Sequence, residues 1–166
     1  LRTGDLREPP ETPDAARGLI RVGPLKVISD GSLGTRTAAC SHAYPDDPGN
    51  FGVLTVPTDE LIALLTRATG AGLDAAVHAI GDRAATSALD AFGVSGATGT
   101  IEHAQLLRHA DLARFARLGV VASVQPQHAL DDRDLAARLW APQDALGYPL
   151  ASLRAAGIEV RFGSDG

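Results

Sequence analysis

Short apolar runs alternate along this chain with longer stretches whose apolar residues recur at helical spacing. Leu25-Lys26-Val27-Ile28 is short, rich in β-branched residues and bounded by Pro24 and Gly31, which predicts a buried strand. Ala75 to His78, Thr100 to Glu102, Val120 to Val124 and Ile158 to Phe162 repeat that pattern. Helical patterning fills the gaps between them. One helix is predicted to start at Thr58 as its cap, with Leu61, Ile62, Leu64 and Leu65 on its apolar face and Gly70 and Gly72 at its end. Others are predicted over Asp82 to Phe92, His109 to Leu118, Asp131 to Leu139 and Tyr148 to Ala156. Residues Gly31 to Pro57 are rich in Gly, Pro, Ser, Asp and Asn, which predicts a long loop with one short strand at Phe51 to Leu54. A loop of that length in a compact domain tends to be a functional lid or a disordered segment.

Strand and helix in alternation predict right-handed βαβ units, and therefore a parallel sheet covered by helices. The five strands begin at residues 25, 75, 100, 120 and 158. A closed eightfold barrel takes about 250 residues. The expected fold is therefore α/β, a partial (β/α)8 barrel corresponding to its C-terminal half, with residues 1–166 as one domain whose first strands are absent. Two open sheet edges would follow, and these invite aggregation or completion by a partner chain, a homodimer included.

Composition narrows the function classes. With 45% hydrophobic residues, a chain of 166 residues buries one core. A net charge of -5 and 4% aromatic residues provide neither a basic stripe for phosphates nor stacking platforms for bases, so nucleic acid is not an expected partner. The single cysteine, Cys40, cannot form an internal disulfide, which makes the cytoplasm the expected location. No apolar run reaches the roughly 20 residues of a membrane helix. The polar start LRTGDLREPPETPDAAR has no signal-peptide core, and no membrane association is expected. The chain begins at Leu1 and contains no methionine, as an internal piece of a longer protein would.

Candidate chemistry sits at the ends of the apolar runs. Lys26, His78, His103 and Asp165 each lie at or beside the end of such a run. A parallel barrel gathers residues so placed at one rim, where such enzymes hold their active sites. A lysine within an apolar strand is costly unless it snorkels, pairs or is modified, and pairing with Asp30 on the same face is the bland alternative. A structural histidine is the bland reading of His78 alone, but His103 repeats its arrangement on the next strand. Asp165 is a metal ligand or a proton-transfer base, with a helix cap as the bland alternative. For the substrate, Asp30, Arg36, His42 and Tyr44 of the loop are expected to cover the pocket, with Arg83, Gln105 and His128 lining it. His109 is expected to be solvated.

The segments LKVISDGSLGTRTAA, VHAIGDRA, IEHAQ, GVVASVQPQHALDD and FGSDG, in that order, resemble those of the amidohydrolase superfamily, in particular its YtcJ-like branch. The resemblance runs from about Lys26 to the chain end. It implies a distorted (β/α)8 barrel with one or two divalent metal ions, usually zinc. Lys26 would then lie on the fourth strand as a carboxylated lysine bridging two metals, since carbon dioxide turns its amine into a carboxylate-like group with two oxygens. His78 and His103 would end the fifth and sixth strands as metal ligands, and Asp165 the eighth as metal ligand and general acid/base. The implied reaction is hydrolysis of a carbon–nitrogen bond of a small amide, other than a peptide bond, in the complete protein. Members of the branch cut N-substituted formamides and related amides. The superfamily also carries a His-x-His pair on its first strand, and no His-x-His occurs here. The alternative is an inactive barrel fragment that lacks those ligands.

Overall fold

All five apolar runs enter one sheet. The computed structural model describes residues 19, 22–141 and 144–165; the polar lead lies outside them. In chain order the elements are β1 (Leu25–Ile28), α1 (Thr58–Gly70), β2 (Ala75–Ala79), α2 (Asp82–Ser95), β3 (Gly99–His103), β4 (Leu106–Leu107) and α3 (His109–Leu118). They continue as β5 (Val121–Val124), α4 (Pro126–Asp131), α5 (Arg133–Leu139), β6 (Leu146–Gly147), α6 (Leu150–Ala155) and β7 (Val160–Phe162). The sheet order is β1-β2-β3-β5-β7, and every neighbouring pair is parallel.

Register decides which side chains meet the helices. Val27, Val77, Ile101, Ala122 and Val160 stand level across the sheet. Their row packs into the main core with Leu61, Leu65, Leu89, Phe92, Phe115 and Leu153 from the helices. Side chains one residue away point to the opposite face. That face carries Lys26, Ile28, His78, Thr100, Glu102 and Ser123, none of them fully buried among the described residues. Helix α2 presents Ala84, Ala85, Ala88 and Ala91, all fully buried, so its backbone lies close against its neighbours.

Several boundaries differ from those expected. Pro57, not Thr58, caps α1, and the Thr58 hydroxyl instead bonds the Ser87 hydroxyl of α2 at 2.7 Å, joining two helices. Helix α2 runs on to Ser95 and stops at Gly96 with φ 66, a left-handed cap suited to glycine. The helix expected over Asp131 to Leu139 is two helices meeting at Asp132. The first starts earlier, with Pro126 in its opening turn, where the missing N–H costs nothing. Helix α6 starts at Leu150 because Tyr148 adopts φ 46, outside helical geometry.

The long loop is irregular as expected, but it is firmly held. No strand forms at residues 51–54. Cys40 N–H instead bonds Phe51 O at 2.8 Å, Val53 N–H bonds Thr37 O at 3.1 Å, and Thr55 N–H bonds Ser29 O at 2.9 Å. Leu33, Ala38, Cys40 and Tyr44 from the loop form a second core cluster with Ile80, Leu106, Leu139 and Trp140. Beside it β4 and β6 make a two-stranded antiparallel ribbon, too short to leave a periodic signal in sequence. Among the described residues no helix is long and apolar enough to cross a membrane.

Gly81 marks where the loop touches the start of α2. A Cβ there would lie 2.0 Å from Ala39 O and 2.4 Å from its carbonyl carbon, and backbone cannot yield as a side chain can. Gly81→Ala is expected to cost more than about 2 kcal/mol in denaturant unfolding, whereas Gly49→Ala, with open space around it, stays within about 0.5 kcal/mol. Equal effects at the two positions would contradict this account of the loop.

Candidate metal centre and active site

Asp30 organises the rim of the sheet just past β1. Its buried carboxylate accepts Ala39 N–H at 2.9 Å and Gly81 N–H at 2.8 Å on Oδ2, and Ile80 N–H at 3.0 Å on Oδ1. His78 Nε2 lies 3.3 Å from Oδ1 and 3.1 Å from Gly31 O. Only an N–H can bridge to those acceptors, so the neutral ring carries its proton on Nε2 and keeps a lone pair on Nδ1. The bland alternative for Lys26, a pairing with Asp30, is not made, because the amides and His78 occupy the Asp30 oxygens. Asp82 supplies a second anchor, taking Ser41 N–H at 2.8 Å and Arg108 Nε–H at 3.0 Å.

His103 is fixed the opposite way round. Its Nδ1 lies 2.8 Å from Gln125 Oε1, which assigns the proton to Nδ1 and leaves a lone pair on Nε2. Strict alternation would send its side chain to the helix face with Ile101. Instead His103 and Ala104 adopt φ 73 and 43, and the His103 ring stands edge-on to His78, with centroids 4.5 Å apart. Non-glycine residues held in this region cluster at active sites and ligand clamps. His128 stacks on the other side of His103 at 5.9 Å, and its Nδ1 lies 3.2 Å from Gln105 Nε2.

The two adjacent imidazoles are tuned apart. Burial works against the charged form of His78, but its hydrogen bonds to Asp30 and Gly31 and the charge of Asp30 outweigh that and raise its pKa above the ordinary value. Burial and the neighbouring His78 push His103 below the ordinary value, against the Gln125 hydrogen bond and the charge of Asp165.

A cavity of about 530 Å³ opens over these strand ends, lined in part by Lys26, His78, His103, Gln105, His128 and Asp165. All four residues singled out for metal chemistry therefore reach one cavity, as do two of the five expected substrate contacts. The other three do not line it. Asp30 is enclosed beneath it. Arg36 is turned outward into a two-point pair with Asp46 at 2.6 and 3.0 Å, and Arg83 sits in the first turn of α2. Of the loop residues expected to cover the pocket, Tyr44 is buried with its hydroxyl on Ala38 O at 3.0 Å, and His42 is exposed. His109 is exposed, as expected. Sequence reasoning missed Gln125, whose signal was its place directly after a strand, and Tyr148, whose hydroxyl bonds Asp132 Oδ2 at 2.7 Å.

The donor set suits part of a metal site. Each of two neighbouring imidazoles spends one nitrogen on an internal acceptor and keeps the other, the arrangement that orients metal-binding histidines. Among the described residues, however, no three His, Cys, Asp or Glu side chains form a group that could hold a metal ion. The sequence model of the amidohydrolase family matches residues 3–166. The chain belongs to the amidohydrolase family. It is 37% identical over 153 residues to "Protein LONG AFTER FAR-RED 3" of Arabidopsis thaliana, covering 87% of this chain and 26% of that protein. It is 32% identical over 151 residues to "Putative amidohydrolase YtcJ" of Bacillus subtilis (strain 168), covering 88% and 28%. An uncharacterized metal-dependent hydrolase from Pyrococcus furiosus superposes with a TM-score of 0.81 at 38% identity, over 88% of this chain and 31% of that one. The chain thus spans about 26–31% of the length of these relatives, and its parallel sheet with helices is part of the family's barrel.

The raised pKa of His78 has a sign that can be checked in metal-free protein. Protonated His78 stabilises the fold, fully below the ordinary imidazole value, and that contribution is lost as pH rises through the raised one. The unfolding free energy of the wild type minus that of His78→Asn is expected to shrink from about pH 5 to about pH 9. A difference that grows with pH would contradict the Asp30–His78 assignment.

Proposed function

We propose that the complete protein hydrolyses a carbon–nitrogen bond of a small amide, other than a peptide bond, with a divalent metal held by Lys26, His78, His103 and Asp165. The observation that carries this reading is the pair of imidazoles at successive strand ends, each with one nitrogen tied down and one left over, on the cavity that Lys26 and Asp165 share. Nitrogen and oxygen donors together suit zinc. Lys26 joins such a set as an oxygen ligand once its amine is carboxylated. In this reading β1, β2, β3, β5 and β7 take the fourth to eighth places of the barrel. One cysteine and no disulfide suit a cytoplasmic enzyme.

A divalent cation there would supply Lewis acidity to a carbonyl oxygen and lower the pKa of water toward about 7. The chain's own residues do the rest. Asp30 and Gln125 hold the two imidazoles in their tautomers and orientations. Asp165 takes the proton of the attacking water on a carboxylate oxygen and returns it to the amide nitrogen as the carbon–nitrogen bond breaks, giving an acid and an amine. Gln105 and His128, on the cavity wall, position the amide.

A second reading, a piece that cannot bind metal by itself, is favoured by the absence of a ready three-residue ligand group among the described residues and of any His-x-His in the sequence. Metal analysis and an amide screen that includes N-substituted formamides, run on the complete protein, separate the two. Lys26→Ala and Asp165→Asn are each expected to lower kcat/KM at least about a hundredfold, with metal content falling in Lys26→Ala. Unchanged activity in either variant removes the role assigned to that residue.

A further inference from the structure

His103 and His128 stand side by side on one cavity, but two glutamines treat their rings in opposite ways. The rings stack with centroids 5.9 Å apart and 18° between their planes. Gln125 presents its amide oxygen to His103 Nδ1 at 2.8 Å, and Gln105 presents its amide nitrogen to His128 Nδ1 at 3.2 Å. An amide oxygen only accepts and an amide nitrogen only donates. His103 therefore carries its hydrogen on Nδ1. His128 spends its Nδ1 lone pair on Gln105 and, as a neutral ring, carries its hydrogen on Nε2. Of the two, only His103 keeps a lone pair for a cation; His128 keeps a donor.

The Gln105 amide is held from its other end. Gln105 is buried, and its Oε1 lies 3.4 Å from the Tyr148 hydroxyl, which also bonds Asp132 Oδ2 at 2.7 Å. The hydroxyl is the donor in both contacts, so the oxygen end of the amide faces Tyr148 and the nitrogen end faces His128. The donor on His128 has no taker within the described residues, where Nδ1 makes the one hydrogen bond of this ring. Asp131, Asp132 and Asp165 line the same cavity, and none of them accepts from it.

We infer that His128 is the hydrogen-bond donor to the carbonyl oxygen of the substrate, with Gln105 as the positioning residue that fixes its tautomer. The inference rests on the amide-hydrolase reading for its reaction. A carbonyl oxygen has lone pairs and no hydrogen, and it gains negative charge as water adds to the carbon. A neutral N–H on the cavity wall therefore bonds the tetrahedral intermediate more strongly than the amide, and only such a difference lowers the barrier. The hydrogen stays on Nε2 throughout. The charge gathered on oxygen returns to the carbon–oxygen bond as the carbon–nitrogen bond breaks, and Asp165 remains the group that protonates the leaving nitrogen.

Two measurements test this, one of them without turnover. In metal-free complete protein carrying isotope-labelled histidine, nitrogen–proton correlation spectra at about pH 8.5, where ordinary imidazoles are neutral, report the tautomer of each ring. The His128 signals are those lost in His128→Leu. Hydrogen is expected on Nε2 of His128 in the wild type, and Gln105→Glu, whose carboxylate only accepts, is expected to bring a hydrogen to Nδ1. Hydrogen on Nδ1 in the wild type, or a bare Nδ1 in Gln105→Glu, overturns the assignment. In turnover of N-butylformamide by the complete protein supplied with zinc, His128→Leu is expected to lower kcat about a hundredfold to a thousandfold and to change KM less than about threefold. His128→Gln, which keeps an N–H donor, is expected to regain at least about tenfold of that loss. An unchanged kcat in His128→Leu, or a loss carried wholly by KM, overturns the role. A wild type with hydrogen on Nε2 that does not cleave the amide removes the hydrolase reading and the carbonyl role with it. Amide hydrolysis indifferent to His128 removes this inference alone.

Discussion

Two oxygen atoms of Asp30 hold together three places that are distant in the chain: the loop at Ala39, the turn at Ile80 and Gly81, and the ring of His78. A buried carboxylate is costly unless it is fully hydrogen-bonded, and this one is bonded by three backbone amides and an imidazole. The same contacts that satisfy the charge close the loop over the rim of the sheet and aim the ring. Folding and site assembly are therefore one event at this point, since the pocket floor cannot form without the loop being in place. The close approach of Gly81 to Ala39 follows from it, because both amides converge on a single oxygen.

The pair of histidines shows how a sheet makes unlike groups from like residues. His78 leaves its strand with regular alternation and meets a carboxylate; His103 leaves with a left-handed backbone and meets a neutral amide. One is pushed toward the charged form and the other away from it. A shared location with divergent environments separates two titrations that equal surroundings would leave overlapping.

What could be read from the sequence followed from local periodicity. The five strands and α3 are legible because short β-branched runs and helical spacing are properties of neighbouring residues, and Lys26, His78, His103 and Asp165 stand where such runs end. Features set by distant partners were not legible. Thr58 looks like a cap until Ser87 is opposite it, and Asp132 looks helical until Tyr148 takes its carboxylate. Asp30 and Tyr44 are polar residues in a Gly-rich loop, which suggests a solvent-facing lid, but their partners lie inside the fold. The turn at His103 carries no glycine to announce its positive φ. Two-residue strands such as β4 and β6 are defined only by each other.

The ribbon of β4 and β6 has a bearing on how such a protein can diverge. Leu106 pairs with Gly147 and Leu107 with Leu146, and Tyr148 then bonds back to Gln105, so one clasp joins segments some forty residues apart. Gln105 lines the cavity that Lys26 and His78 share as well as the smaller cavity beside it, and Tyr148 lines the smaller one. Changing the one therefore disturbs the other. In most barrels, loops are exchangeable modules, replaced singly while the frame stays constant. Here the segments after β3 and before α6 form a single heritable unit, and a new selectivity would have to be acquired by both together.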